Sequence, residues 1–171
     1  LLLTSSTYRQ SSRFDLEAFE RDPLNDLFWR FDLRRLAAEE IRDSILAVSG
    51  NLNPELGGEG VYPPLPDAVL ETASRPNSAW GPETPEDAGR RSLYIFLKRS
   101  LRPPLLEGFD QPDPDRACSV RFATTVPTQS PMMMNSDFID RQASLFATRL
   151  VTECPGGLET RVERGLELVL C

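Results

Sequence analysis

The stretch LRRLAAEEIRDSILAVSG, residues 33–50, decides the fold of this chain. Its apolar side chains recur near the 3.6-residue period of a helix, and alanine, glutamate and arginine, which favour helices, fill the positions between them. Gly50 follows the stripe at the position where a glycine ends many helices. The pattern therefore predicts a helix over residues 33–49 with one apolar face. That face consists of Leu33, Leu36, Ala37, Ile41, Ile45, Leu46 and Val48.

Three further segments carry helical patterns. Residues 137–152 follow Ser136, which is a suitable N-cap, hold two aspartates in the first turn, and precede a Pro-Gly-Gly stop. A shorter helix is predicted over residues 128–134, where we expect the three methionines to pack against the core. An amphipathic pattern over residues 158–171 predicts a terminal helix.

The segment between the helices is different. Residues 51–89 are rich in proline and glycine, which remove backbone donors and disfavour regular structure, so we expect a long irregular strap across the helices. Its expected anchors are Val61, Tyr62, Leu65, Val69, Leu70 and Trp80. Residues 93–97 and 118–126 have short β-like patterns that would allow them to pair. The predicted fold class is mainly α: one helical domain over residues 1–171, with the proline-rich irregular segment and at most one short two-stranded β element.

The composition limits the classes of function. The chain of 171 residues holds 19 lysine and arginine residues against 26 aspartate and glutamate residues, a net charge of −7. This acidic balance argues against a nucleic-acid-binding domain and against an anionic membrane surface. Histidine is absent, which excludes a histidine-based triad, an imidazole zinc site and a histidine-ligated haem built from this chain alone. No apolar run approaches the roughly 18 residues that a membrane span needs.

The sequence has three cysteines, Cys118, Cys154 and Cys171. Their number and spacing do not decide whether the protein belongs in an oxidising or a reducing compartment. One disulfide would leave one thiol, and the spacing does not decide which pair would form. No CxxC pair and no CxxCH haem-attachment motif is present in the sequence. We expect buried or idle thiols, because an activating histidine is missing and cysteine often behaves as a small apolar residue.

The sequence offers no strong motif for a metal, a phosphate or a catalytic nucleophile. Asp110, Asp113 and Asp115 are close enough in sequence to offer oxygens to a calcium ion, but prolines alternate with them, and we favour a solvated acidic loop. The glycine-rich residues 57–60 precede prolines instead of a helix, which favours a turn over a phosphate-binding loop. The usual phosphate-loop, nucleophile-elbow and metalloprotease motifs are absent from the sequence. We predict no cofactor, no metal site and no catalytic residue set.

Cationic side chains gather around the apolar residues 93–97. The group consists of Arg90, Arg91, Lys98, Arg99 and Arg102. Guanidinium groups bind phosphate or sulfate in a forked geometry, but they also pair with acidic side chains of neighbouring helices, and the net negative charge favours internal pairing. If the surface instead binds or processes a polysaccharide, with help from nearby acids, the candidate ligand-binding residues are Tyr8, Arg9, Arg91, Lys98 and Arg99.

Short blocks in order along nearly the whole chain resemble a planctomycete-specific bacterial domain of unknown function. The blocks include SSTYRQSS at residues 5–12, DP at 22–23, LFWRF at 27–31, IRD at 41–43, AVSG at 47–50, RSLY at 91–94, KRS at 98–100, PPLL at 103–106, FD at 109–110, PD at 112–113, TT at 124–125, PTQ at 127–129 and NS at 135–136. In such families the domain usually lies near the C-terminal side of large exported proteins, after a companion domain of unknown function and often a cytochrome c-like domain. The resemblance implies no catalytic residues.

The resemblance decides which hypothesis about function comes first. The chain begins with three leucines and ends inside a predicted helix, so we expect a piece of a longer protein. The first hypothesis is a non-catalytic structural or interaction module of an exported, extracytoplasmic multidomain protein, whose partners are the other domains of that parent. A polysaccharide-binding or polysaccharide-processing domain is the alternative. A third hypothesis is support of an attached cytochrome c-like domain in electron transfer.

Overall fold

The computed structural model describes residues 1–75, 78–82 and 88–170, and these residues are mainly helical. The predicted fold class is therefore confirmed. The chain divides into two compact units, Leu1–Arg35 and Leu36–Cys171. The expectation of a single domain over residues 1–171 stays a prediction, and each unit is described by itself.

The first unit contains a 3₁₀ turn, Leu2–Thr4, and one short helix, α1, Leu16–Arg21. Asp15 caps α1, because its Oδ1 accepts a hydrogen bond of 2.9 Å from the backbone N–H of Ala18. The unpaired N–H groups of a first helical turn are satisfied in this way by aspartate side chains. The Asp15 side chain therefore fixes where α1 begins.

The loop after α1 is built around two buried polar side chains. Both carboxylate oxygens of Asp22 accept backbone hydrogen bonds, from Asp26 at 3.0 Å and from Leu27 at 2.8 Å. The side-chain amide of Asn25 donates to the carbonyl oxygen of Arg30 at 3.0 Å. Asn25 has a φ of 59°, a left-handed conformation that asparagine tolerates better than most residues. The Asp-Pro motif is therefore the polar core of a folded loop.

The first helix of the second unit, α2, spans Ala38–Ser49 and begins later than the sequence predicted. Ala37 is extended, with ψ at 159°, and its backbone N–H donates to the Glu40 carboxylate at 2.7 Å. Leu33 and Leu36 are exposed. The helical pattern before Ala38 is overridden because Glu40 satisfies the backbone at the start of α2, which is half of a capping box.

The buried face of α2 also differs from the expected stripe. It consists of Ala38, Arg42, Leu46 and Ser49. These positions are three or four residues apart and share one side of a helix. The face includes a charged and a hydroxyl side chain, which a purely apolar periodicity does not reveal.

The remaining elements follow in chain order. They are α3 Asp67–Leu70, a 3₁₀ turn Ser92–Tyr94, α4 Pro104–Gly108, α5 Gln129–Met134, α6 Asp137–Glu153 and α7 Leu158–Leu170. The three predicted C-terminal helices are thus present. Helix α5 begins one residue later than predicted, and α6 ends one residue later. Position 171 lies outside the described residues.

The core of the second unit collects side chains from several elements. Its buried members are Ala38, Val61, Ile95, Leu105, Leu106 and Phe109, and the partly buried Ile41, Tyr94, Met132, Met133 and Phe138 pack against them. Burial of such apolar area is the main stabilising contribution to folding. The expected packing role holds for Met132 and Met133, whereas Met134 is exposed.

Polar contacts fix α6 against α2. The hydroxyl of Ser49 donates to Gln142 Oε1 at 2.7 Å, and both side chains are buried. Arg149 Nη1 donates to the carbonyl oxygens of Ala47, at 3.1 Å, and Val48, at 2.7 Å. A side chain of α6 therefore adds a donor to the last carbonyl groups of α2, of which Ala47 O also accepts from the Gly50 N–H at 3.2 Å.

The suggested pairing of residues 93–97 with residues 118–126 is wrong. In the part of the chain that the structure describes, β pairing consists of isolated bridges, among them a parallel one between Val61 and Ile95. Val120 and Phe122 are exposed, so the alternating pattern of residues 118–126 covers no buried face. The proline-rich strap takes the place of the expected strand partner, because Val61 donates to Tyr94 O and accepts from Phe96 N.

The proline-rich segment is mostly irregular where the structure describes it, apart from the short helix α3. Val61 is buried, as expected of an anchor, and Tyr62 and Trp80 contact each other. Residues 76–77 and 83–87 of this segment lie outside the described residues.

Candidate functional site

An open cleft of about 440 Å³ lies in the second unit, where the proline-rich segment meets residues 96–99. Its lining residues are Tyr62, Ser78, Ala79, Trp80, Gly81, Phe96, Leu97, Lys98 and Arg99. We call it the aromatic cleft. Ligand sites generally combine apolar and aromatic walls with a few polar groups, and this cleft has that composition.

The three rings of the aromatic cleft hold each other in place. Tyr62 and Trp80 lie edge to face, with centroids 5.3 Å apart, and Tyr62 and Phe96 are tilted, at 5.1 Å. Both arrangements are favoured by the ring quadrupoles. The indole N–H of Trp80 donates to Pro63 O at 2.8 Å, which fixes its orientation. Phe96 remains 45% exposed, so one ring is available to a ligand.

Gly81 allows the strap to approach Tyr62. A Cβ at this position would come within 2.6 Å of the Tyr62 ring carbons, and real side chains do not approach so closely. A glycine is therefore needed for the strap to pass beside the ring. The cleft wall depends on this close approach.

Two cationic side chains, Lys98 and Arg99, lie at the edge of the aromatic cleft. The ammonium group of Lys98 donates to the carbonyl oxygen of Ala79, which ties residue 98 to the opposite wall. Arg99 Nε lies 2.7 Å from Asp115 Oδ1, and the two side chains are 76% and 49% exposed. An ion pair this exposed contributes little to stability. The Arg99 guanidinium is therefore only weakly held by Asp115, whereas the Lys98 ammonium is held by the Ala79 carbonyl oxygen.

The structure brings together two of the five predicted ligand-binding residues. Lys98 and Arg99 line the aromatic cleft, but Arg91 does not, and its Nε lies 3.7 Å from Asp43 Oδ2 on α2. Tyr8 and Arg9 belong to the first unit, where the Tyr8 ring lies 6.1 Å from that of Phe31. No observation on these residues tests a ligand-binding role, which stays a prediction.

Sequence reasoning missed Trp80 and Phe96 as site residues. Trp80 was expected only as an anchor of the strap, and Phe96 only as part of a buried strand. The available signal was the run of an aromatic, an apolar and two cationic residues at positions 96–99, next to a strap that carries two more aromatic residues. Such interleaving of rings and cations is typical of ligand-binding surfaces.

Arg42 is the main buried charge of the second unit. It is 4% exposed, and its guanidinium donates to Ala88 O at 2.7 Å, to Arg90 O at 2.8 Å and to Ser92 Oγ at 3.2 Å. Burial lowers the pKa of Arg42 to about 10, while the nearby carboxylate of Asp43 acts in the opposite direction. The group still carries its charge at neutral pH.

The carboxylate of Asp43 completes this buried polar network. Its Oδ1 accepts hydrogen bonds of 2.7 Å from both the backbone N–H and the hydroxyl of Ser92. Hydrogen-bonded networks of this kind fix the relative positions of the elements that contribute to them. The network joins α2 to the segment that begins the 3₁₀ turn, and each polar group in it has a structural partner.

Arg90 organises the glycine-rich turn. Its guanidinium stacks on the ring of Tyr94, with 4.3 Å from Cζ to the centroid, and donates to Gly57 O and, at 3.3 Å, to Glu55 O. Gly57 and Gly58 have φ values of 83° and 87°, which only glycine adopts easily. Residues 57–60 therefore form a turn folded over an arginine, as the sequence favoured.

The acids expected to form a solvated loop have protein partners. Asp110 accepts from the backbone N–H and hydroxyl of Thr124, Asp113 lies 3.8 Å from Arg116, and Asp115 pairs with Arg99. Among residues 1–75, 78–82 and 88–170, no three His, Cys, Asp or Glu side chains are grouped closely enough to hold a metal ion. Cys118 and Cys154 are free thiols, and Cys171 lies outside the described residues.

Helix α7 presents an exposed apolar face. Gly165 packs against Leu150 and Phe146 of α6, and it is the one buried residue of the described helix. Val162, Leu166 and Val169 are 51%, 54% and 57% exposed. These three side chains recur at the spacing of one helix face. We call them, together with Leu158, the α7 stripe.

None of the described helices has the length and apolar content to cross a membrane.

The chain was compared with known proteins. A family model described as PSD1, protein of unknown function (DUF1553), matches residues 1–171. No curated protein and no solved structure gives a match.

Proposed function

We propose that this chain, which belongs to the PSD1 family of proteins of unknown function (DUF1553), is a non-catalytic interaction module of an exported multidomain bacterial protein. The observation that supports the proposal is the α7 stripe. The partners are the other domains of the parent protein, and the extracytoplasmic location and planctomycete origin belong to the same proposal. They rest on the resemblance of the sequence blocks.

The α7 stripe suits a docking role for a physical reason. Each exposed branched side chain that becomes buried contributes about 1.5–3 kcal/mol to association. An amphipathic helix that offers several such side chains at helical spacing binds a groove of its partner through them. Because each side chain of the α7 stripe is more than half exposed, the stripe is available to pack against another surface.

An attached cytochrome c-like domain is the partner we propose within this class. The chain itself has no histidine and no CxxCH motif, so any haem would be held by the neighbouring domain. Support of electron transfer would then consist of positioning that domain. The role assigned to this chain is contact and orientation.

Calorimetric titration of the chain with the remaining domains of its parent tests the proposal. Substitution of Leu166→Glu together with Val169→Glu places two charges on the α7 stripe, and we expect affinity to fall at least tenfold. The matched control is Leu56→Glu, which adds a charge at a leucine that is 76% exposed and lies outside α7. Unchanged affinity in the double variant, with a wild-type circular dichroism spectrum, would contradict docking through α7.

A second candidate function is polysaccharide binding, and the aromatic cleft favours it. Sugar rings expose C–H groups that pack on aromatic faces, and hydroxyl groups that accept hydrogen bonds from cations. Phe96 and Trp80 supply rings, and Lys98 and Arg99 supply donors. Trp80→Ala should weaken binding of a galactan oligosaccharide more than fivefold, whereas Phe122→Ala, an exposed aromatic outside the cleft, should not. Equal affinities in both variants would contradict a ligand site in this cleft.

A further inference from the structure

We infer that the aromatic cleft selects an acidic saccharide, one that carries a carboxylate or a sulfate ester, and that Asp115 competes with this anion for Arg99. This inference rests on the polysaccharide-binding candidate above. It assigns distinct roles to the two cations and adds a residue, Asp115, that is not among the residues lining the cleft.

The first step is the difference between the two cations. Lys98 is held by a hydrogen bond to the Ala79 carbonyl oxygen across the cleft, and its side chain is only partly exposed. Its charge therefore stays in a fixed place beside Phe96 and Trp80. A fixed positive charge next to aromatic rings attracts an anionic group on a ligand whose apolar face lies on those rings.

The second step concerns Arg99. Its ion pair with Asp115 is short, at 2.7 Å, but the arginine side chain is 76% exposed. Exposed ion pairs contribute little to stability, so a ligand anion exchanges with Asp115 at small cost. Arginine forms forked hydrogen bonds with carboxylates and sulfates, a geometry that a lysine ammonium does not offer. Arg99 is thus the group that recognises the anion through hydrogen bonds.

The third step is that only the cations of the aromatic cleft attract the ligand anion. The chain carries a net charge of −7, which repels polyanions at long range. Binding of an acidic saccharide therefore depends on the cleft itself and on the exchange at Arg99. In a site of this kind, removal of the competing carboxylate strengthens binding, and removal of the arginine leaves only the smaller preference for anions that Lys98 provides.

The experiment uses three galactose-based oligosaccharides of equal length: neutral galactan, polygalacturonate and sulfated galactan. Affinities are measured by calorimetry at low salt with the 171-residue chain. We expect the acidic oligosaccharides to bind at least fivefold more tightly than the neutral one. The stronger of the two acidic ligands identifies the anion as carboxylate or sulfate.

Two variants and one control test the roles of the residues. Arg99→Ala should reduce the preference for acidic ligands, because the affinity for these ligands falls more than the affinity for neutral galactan. Asp115→Asn should raise the affinity for acidic ligands about threefold without an effect on neutral galactan. The matched control is Arg116→Ala, because Arg116 is an exposed arginine of the same loop that pairs with Asp113 and does not line the cleft. This control should leave all three affinities unchanged.

The outcomes separate this inference from the candidate function on which it rests. If neutral and acidic oligosaccharides bind equally, or if Arg99→Ala and Arg116→Ala have the same effect, the acidic specificity is wrong and polysaccharide binding stands. If Asp115→Asn weakens binding of the acidic ligands, the competition at Arg99 is wrong. If none of the three oligosaccharides binds, both the inference and the polysaccharide-binding candidate fail.

Discussion

Replacement of Arg42 by alanine should destabilise the second unit more than any replacement of an exposed arginine. The guanidinium donates to two carbonyl oxygens, those of Ala88 and Arg90, and to the Ser92 hydroxyl, and it is 4% exposed. A buried acceptor left without a donor costs about 1–3 kcal/mol. Since Asp43 also loses a neighbouring opposite charge, the expected loss is about 3–5 kcal/mol of the free energy of unfolding.

Urea denaturation followed by circular dichroism measures this loss. Arg42→Lys should cost about 1–2 kcal/mol, because an ammonium keeps the charge but lacks the fork that reaches several acceptors. Arg116→Ala, at an exposed site, should cost no more than about 0.5 kcal/mol. Burial lowers the pKa of Arg42 to about 10, which is still well above pH 8, so the side chain is charged in both the folded and the unfolded chain, and the loss should be the same at pH 6 and pH 8. A loss below about 1 kcal/mol for Arg42→Ala would refute the structural role of these bonds.

Three further changes test the local structure by urea denaturation. Gly89→Ala should cost over about 2 kcal/mol, because a Cβ there would overlap the Asn51 carbonyl oxygen, whereas Gly157→Ala meets open space and should be nearly neutral. Arg149→Ala should cost about 1–2 kcal/mol, since Val48 O loses the arginine donor while Ala47 O keeps the Gly50 N–H, and a neutral result would contradict that cap. In the first unit, Asp22→Ala should unfold the loop around Trp29 at lower urea, as followed by Trp29 fluorescence in a Trp80→Phe background. An unchanged midpoint would show that the two Asp22 backbone contacts do not hold that loop.

Helices with strong end signals were predictable from the sequence. Helix α6 has a serine N-cap, acids in its first turn and a Pro-Gly-Gly stop, and its bounds differ from the prediction by one residue. The start of α2 was not predictable from periodicity, because the leucines and arginines before Ala38 continue the helical pattern. A backbone contact between Ala37 and Glu40 ends it, and only the spacing of a capping box points to such a contact.

Contacts with segments distant in sequence explain why the predicted β pairing was wrong and why the burial of Arg42 was not predicted. The apolar run at residues 93–97 has the composition of a strand, but its neighbour is the strap around Val61 and not a second strand. A local pattern does not say which distant segment will lie beside it, and β preference depends strongly on that neighbour. The burial of Arg42 was not predictable for the same reason. The carbonyl oxygens that accept its hydrogen bonds belong to residues 88 and 90, which are distant in sequence.

The candidate site was predictable in part. Lys98 and Arg99 stand out in the sequence as cations beside an apolar run, and both line the aromatic cleft. Their aromatic companion Trp80 comes from the proline-rich strap and reaches the cleft only through the fold. Arg91, which belongs to the same cationic group in the sequence, lies instead beside Asp43 of α2, because neighbouring residues of a turn point in different directions.

Hydrogen exchange of the chain, alone and mixed with the remaining domains of its parent, tests the central claim most directly. Helix α7 rests on α6 through few buried side chains, so its amides should exchange rapidly in the free chain. We expect the partner domains to slow exchange across Leu158–Leu170, and the double variant Leu166→Glu, Val169→Glu to abolish this slowing. Identical exchange of this helix with and without the partner domains would contradict an interaction module that docks through α7.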